Sequence, residues 1–199
     1  MNKSINVGDI IPFCEYKWRV LDVQNDRALI ITDNIIDKRP YNNEDIGVTW
    51  ETCTLRQYLN NDFYNQFIES CQERIIETTI KNLDNLWFGT AGGNDTLDKI
   101  FLLSLEEVDE YFGNSKDYIN KNIKFWDKDG CAAVDWMSNK HNRKRVANYN
   151  NKPDWWSLRT SGFRNYCATY VNGDGSISVD GFVVNYPHFG VRPTLWLKI

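Results

Sequence analysis

Apolar positions are arranged as strand-like runs at both ends of the chain, around a middle with helical and irregular spacing. Between Phe13 and Val23 apolar residues alternate through Trp18 and Val20. Asn25-Asp26 then marks a turn, and Arg27–Thr32 (RALIIT) forms a second apolar run, so the two predict a β-hairpin. Residues 37–48 are polar, contain Pro40 and Asn42-Asn43, and are expected as loop. Thr54 followed by Gln57 matches a capping box. Leu55, Tyr58, Leu59 and Phe63 recur at helical spacing and predict a short helix from Thr54 to about Asn60, then a further turn through Phe67. Gln72 to Ile80 reads as a helix passing into a strand, because Thr78-Thr79-Ile80 is a β-branched run. Asp84 to Asp95, with Gly89, Gly92 and Gly93, is expected as loop, and Lys99–Leu103 as a buried strand. Ser104 with Glu107 is a second capping box, opening a helix to Phe112 that ends at Gly113-Asn114. Residues 114–152 are long and polar, anchored by Trp126, Val134, Trp136 and Met137, with one short helix expected. From Trp155 onward short strands and tight turns return. Cys167–Val171 is a strand, Asn172–Gly175 a turn tolerant of positive φ, and Ser176–Val184 the returning strand, bent at Gly181. Pro193 has no N–H for a ladder, so Arg192-Pro193 belongs at a strand start or edge.

With 199 residues and no internal repeat or low-complexity linker, the chain reads as one domain over 1–199. Its parts are a hairpin and helices (1–113), an irregular segment (114–152) and a C-terminal strand platform (153–199). Aromatic content is high, at 14% with eight Trp, enough for both a core and a recognition surface. The net charge of -4 argues against direct nucleic-acid binding; the local basic run His141–Arg145 reads as a solvated loop or helix end. The five cysteines (Cys14, Cys53, Cys71, Cys131, Cys167) are odd in number and scattered, without Cys-x-x-Cys, so reduced thiols are expected rather than a disulfide framework. No apolar leader precedes the first strand and no run would span a bilayer. The expected location is cytoplasmic or virion-associated, without membrane contact.

The residues that stand out are Trp155-Trp156-Ser157-Leu158-Arg159-Thr160-Ser161-Gly162, then Val171 to Gly175, then Gly190-Val191-Arg192-Pro193-Thr194-Leu195-Trp196. These resemble a family of domains of unknown function common in low-GC bacteria and their phages. Its members share Trp-Trp-Leu-Arg-Ser-Pro-Gly, Val-x-x-x-Gly and Gly-Val-Arg-Pro-Ala-Leu-Trp. Trp18–Asp22, Trp50-Glu51, Thr54-Leu55-Arg56, Leu59-Asn60 and Asp98–Ser104 match its further signatures, so the resemblance spans nearly the whole chain. Ser157 is an extra residue, Thr160-Ser161 replaces Ser-Pro and Thr194 replaces Ala. The C-terminal pattern is also similar to C-type-lectin-like folds, a group that includes formylglycine-generating enzymes and the variable proteins of diversity-generating retroelements. That resemblance implies an α+β, C-type-lectin-like mixed fold: short antiparallel strands, an N-terminal hairpin, two or three short helices, and a ligand face on the last strands and their loops.

The chemistry-bearing candidates are few. Arg159 and Arg192 have apolar neighbours and read as buried guanidinium groups stacked on Trp and bonded to carbonyls or an acid. Lys152-Pro153-Asp154 resembles a lectin calcium tripeptide but puts a cation where an oxygen ligand is needed, and Asp127–Gly130 is too short for an EF-hand loop, so no metal is expected. Formylglycine-generating chemistry would need paired cysteines near the C-terminus, where Cys167 stands alone. No catalytic residue and no cofactor are assigned; an enzyme using Cys167 with His188 is the alternative, with no motif to support it, and His141 is the other histidine. The candidate binding residues are Arg164, Asn165 and Tyr166 after the Gly162 turn, and Asn185, Tyr186, His188 and Phe189 before the last strand. Pairing of strands 167–171 and 176–184 is expected to bring both loops to one end of the sheet. The expected function is non-catalytic recognition of a protein or other macromolecule through these loops. A phage or defence accessory protein that inhibits a partner enzyme is the second possibility.

Overall fold

The computed structural model describes residues 4–113 and 142–199. Trp126, Val134, Trp136, Met137, Asp127–Gly130, Cys131 and His141 lie outside these residues. The fold is mixed α+β, and the described residues form mostly antiparallel short strands in two five-stranded sheets and two small two-stranded ones. The expected hairpin is present as β2 (Tyr16–Gln24) and β3 (Arg27–Thr32), preceded by β1 (Ile10–Phe13). Asn25 supplies the turn's left-handed residue at φ 50°. The last strand, β14 (Thr194–Lys198), pairs antiparallel with β3, matching Thr194 to Ile31 and Lys198 to Arg27. With β5 (Ile75–Ile76) on its other side, the first sheet runs β1-β2-β3-β14-β5.

The second sheet is built almost wholly from the C-terminal quarter: β10 (Trp156–Ser161), β11 (Cys167–Val171), β12 (Ile177–Val183) and β13 (Gly190–Val191), in the order β12-β11-β10-β13-β4. Its far edge, β4 (Asp37–Lys38), falls inside the expected loop and pairs with Gly190-Val191. The chain passes from this sheet to the first between Val191 and Thr194. Pro193 therefore sits at the break between two strands, where a missing N–H costs no ladder bond. Both neighbours of β11 are bulged opposite Thr169: Ser157 and Ser161 face Tyr170 and Ala168 on one side, and Ser178 and Phe182 face the same pair on the other. In each case a four-residue step meets a two-residue step. On β12 this slack is taken up at Gly181, at φ +76°, where a Cβ would stand 2.5 Å from the Ala168 carbonyl oxygen.

Helical expectations are met in part. α3 (Leu105–Phe112) begins in a complete capping box: the Ser104 Oγ accepts from Glu107 N, and a Glu107 oxygen accepts from Ser104 N. The first helix is shorter than expected. α1 spans Thr54–Tyr58 and runs on as a π-turn at Leu59–Phe63 and a 3₁₀ turn at Tyr64–Gln66. Its cap is the Cys53 thiol, which accepts from Arg56 N at 3.4 Å, while the Thr54 hydroxyl accepts from Asn43 N at 3.0 Å. Thr54 is thus engaged by the loop above it, and the expected Thr54–Gln57 box does not form. Lys99–Leu103 is buried from Ile100 onward but is no strand; its one ladder contact is a bridge from Phe101 to Thr194. Past 142, a helical turn (Asn142–Arg145) leads into the hairpin β8 (Ala147–Tyr149)–β9 (Lys152–Asp154).

The expectation of reduced thiols is corrected for one pair. Cys14 and Cys71 form a disulfide across 57 positions, with Cα atoms 6.6 Å apart. The β1–β2 turn and the short helix α2 (Glu69–Gln72) converge there, a proximity that sequence spacing does not carry. Cys53 and Cys167 are free and buried.

Candidate functional site

Two buried arginines hold the second sheet to the rest of the molecule. Arg192, between β13 and β14, donates from Nε to the Thr32 carbonyl at 2.9 Å and from Nη2 to the Asp33 carbonyl at 3.2 Å. Its guanidinium carbon lies 4.8 Å from the Trp156 ring and 5.4 Å from the Phe112 ring. Burial pulls its pKa down to about 9, which leaves it charged at neutral pH. Arg159 grips Glu107 with both terminal nitrogens and donates to the Leu102 and Lys81 carbonyls. Both match the buried reading made from their apolar neighbours, so neither is free for a ligand. A third, Arg145, is 0% exposed, donates to the Gly175 carbonyl, and lends its own carbonyl to the Trp156 indole. It lies in the basic run expected to be solvated.

On this frame, β10 and β13 pair in parallel through Trp156 and Gly190. β12 also runs parallel to β10, so the chain leaving β12 must travel back the length of the sheet before β13 begins. Residues 184–189 make this return across the sheet instead of forming a loop at its end. The two expected loops therefore meet where the first ends and the second begins: Val184 N donates to the Tyr166 carbonyl at 2.9 Å. Beyond that point they diverge, because a parallel strand requires a crossover.

The divergence separates the candidate residues into two aromatic groups. In the first, Tyr166 and Phe163 have ring centroids 6.2 Å apart. Arg164 lies over both rings and donates to the Tyr166 hydroxyl at 2.9 Å, and Phe88 reaches Phe163 from the 84–95 loop at 6.3 Å. Asn165 packs against Gly47, and its carbonyl accepts from Val48 N. In the second group the Trp155 ring meets Tyr170 at 4.8 Å, Phe189 at 4.9 Å, Tyr186 at 5.1 Å and Phe182 at 5.8 Å. His188 packs edge-on against Tyr186 at 5.4 Å. Phe182 is 42% exposed, Asn185 and His188 are exposed, and Tyr186 is half-buried. Phe189 differs from the expected surface role: it is 0% exposed and forms the floor on which the other rings rest. Trp155, Tyr170 and Phe182 were not selected from sequence. Strand alternation, which aligns Tyr170 with Ala168 and its partner Phe182 on one face, was the available signal.

The environment of Cys167 bears on nucleophilic chemistry. Burial, and next the charge of Asp180, push its pKa to about 11, holding the thiol protonated at neutral pH. No hydrogen bond links it to His188, whose ring contact is with Tyr186. The Asp154 carboxylate of the Lys-Pro-Asp segment pairs with Lys38 and accepts from Trp155 N. Among the described residues no three His, Cys, Asp or Glu side chains gather as a metal site, and no helix is long and apolar enough to cross a membrane. A polar cleft of about 380 Å³ lies elsewhere, lined by Arg39, Pro40, Thr54 and Tyr58 among others. There Arg39 is stacked on Tyr58 at 3.7 Å and bonded to Asp37.

The model of one protein family, described as a domain of unknown function (DUF6273), matches residues 25–199. No curated protein and no solved structure matches the chain.

Proposed function

We propose, for a chain that belongs to the DUF6273 family of domains of unknown function, that it is a non-catalytic binding module whose partner docks on the outer face of the second sheet. The observation that carries this is the cluster of Trp155, Tyr170, Phe182, Tyr186 and His188. Its rings are in mutual contact, supported from beneath by buried Phe189, and still present Phe182 and His188 to solvent. Rigid aromatic side chains lose little conformational entropy on binding and supply the anchors that dominate protein interfaces. Exposed aromatic rings held on a sheet suit the anchor positions of a protein interface. Arg164, Asn165 and Tyr166 form the neighbouring rim, adjoining through the Val184–Tyr166 bond.

We read the architecture as a C-type-lectin-like arrangement, supported by the antiparallel sheets and the C-terminal strands that build the face. The source implied is a low-GC bacterium or its phage, and the location cytoplasmic or virion-associated. The Cys14–Cys71 disulfide favours the virion of the two, since disulfides persist where thiols are not kept reduced. Inhibition of a partner enzyme is one form such binding takes. The net charge of -4 suits a basic target.

The test is affinity capture from cells of the source, comparing the native chain with Phe182→Ser/Tyr186→Ala/His188→Ala and with Arg164→Ala. Loss of the captured partner in the triple variant, with its melting temperature within a few degrees of native, is the expected outcome. Retention of the same partner at native yield would refute the face.

A further inference from the structure

From the charge environment of this aromatic face we infer that it takes arginine side chains of the partner, an inference that rests on the binding reading above and specifies its chemistry. The observation is the distribution of cations over aromatic rings. Several rings elsewhere among the described residues carry one of the chain's own cations. Arg27 lies 4.4 Å from the Trp196 ring centre, Arg39 3.7 Å from Tyr58, Lys99 4.3 Å from Tyr64 and Arg164 5.3 Å from Phe163. Among the described residues no Arg or Lys stands over Trp155, Tyr170, Phe182 or Tyr186. Phe182, exposed, and Trp155, Tyr170 and Tyr186, half-buried, are thus left without one.

Lys38 is paired with Asp154 and Arg164 is stacked on Phe163 and Tyr166, while the charge beside Tyr170 is negative. Asp180 precedes the Gly181 bulge two residues from Phe182, and its charge reaches Tyr170. It accepts from Ser178 Oγ at 2.6 Å and Gly181 N at 3.1 Å, and no ion pair neutralises it among the described residues. These bonds fix its carboxylate without cancelling its charge. An aromatic quadrupole attracts a cation to its face, most strongly at Trp. A guanidinium can stack on a ring while its N–H groups reach a carboxylate, which an ammonium cannot do in the same plane. Tyr170, in contact with Trp155, and the Asp180 carboxylate beside it offer that pair of contacts.

The probe is a synthetic nonapeptide alternating Arg and Gly, titrated calorimetrically into the full chain, beside the same peptide with citrulline for every Arg. Citrulline keeps the planar shape and removes the charge. The expected result is saturable binding of the arginine peptide, at least tenfold weaker for the citrulline peptide and weaker at high salt. Phe182→Leu, which keeps apolar area but loses the ring, and Asp180→Asn should each weaken it several-fold, and the arginine peptide should compete with the captured partner. Equal binding of the two peptides, or arginine binding untouched by both variants, overturns the inference. If capture still depends on Phe182, Tyr186 and His188 but the arginine peptide neither binds nor competes, the binding face stands and its arginine specificity is lost. If capture is independent of the face as well, both fall.

Discussion

Single residues decide how rigidly the aromatic face is mounted. Arg192 ties Thr32 of the first sheet, and Asp33 just past it, to Trp156 of the second. Lysine there would lose the planar stack and could not serve both carbonyls. Arg192→Lys should therefore cost about 2–4 kcal/mol in urea unfolding, most of it from buried carbonyls left without a donor. The buried thiols make a second prediction. Burial raises Cys53 from 9.0 to about 12, and burial with Asp180 raises Cys167 from 9.0 to about 11. The unfolded chain gives up these protons first. Stability is thus expected to be flat below pH 9 as far as these groups are concerned, and to fall as pH rises through 9 toward 11. Cys53→Ala should shallow that alkaline slope in unfolding curves measured at pH 7, 9 and 10.5; an unchanged slope would remove the thiol from the explanation.

At the scale of elements, local signals were readable wherever one segment carried its own instruction. The β2–β3 hairpin, the Ser104–Glu107 box and the bend at Gly181 all follow from nearby residues, and all are present. Ser104→Ala should accordingly cost about 1 kcal/mol. What depended on distant partners was not readable. Thr54 is taken by Asn43, so the cap passes to Cys53. The Lys99–Leu103 run is buried from Ile100 onward and joins the sheets through the Phe101–Thr194 bridge and a bond from Arg159 N to the Leu103 carbonyl. The Cys14–Cys71 link depends on the β1–β2 turn meeting helix α2 in space. Closing a loop of that length stabilises a fold by about 2–4 kcal/mol, so Cys14→Ser or a reductant should lower the denaturant midpoint correspondingly. A midpoint indifferent to both would show that the link contributes nothing to stability.

In the whole molecule, the C-terminal quarter acts as a platform because its strands serve both sheets. The sequence leads to the expectation that 164–166 and 185–189 lie together at one end of the sheet, whereas the structure joins them at the Val184–Tyr166 bond and divides their rings. The parallel register of Trp156 with Gly190 sends residues 184–189 across the sheet, which joins Tyr186 and His188 to Trp155, Tyr170 and Phe182 instead of to Tyr166. No short-range pattern announces a parallel crossover inside an otherwise antiparallel meander, and Phe189 is indistinguishable by type from the exposed rings around it. The most direct measurement is amide hydrogen exchange on the free chain and on its complex with the captured partner. Slowed exchange confined to residues 167–171 and 177–189 is the expected outcome. Protection centred instead on Arg39, Thr54 and Tyr58, with the aromatic face exchanging as in the free chain, would contradict it.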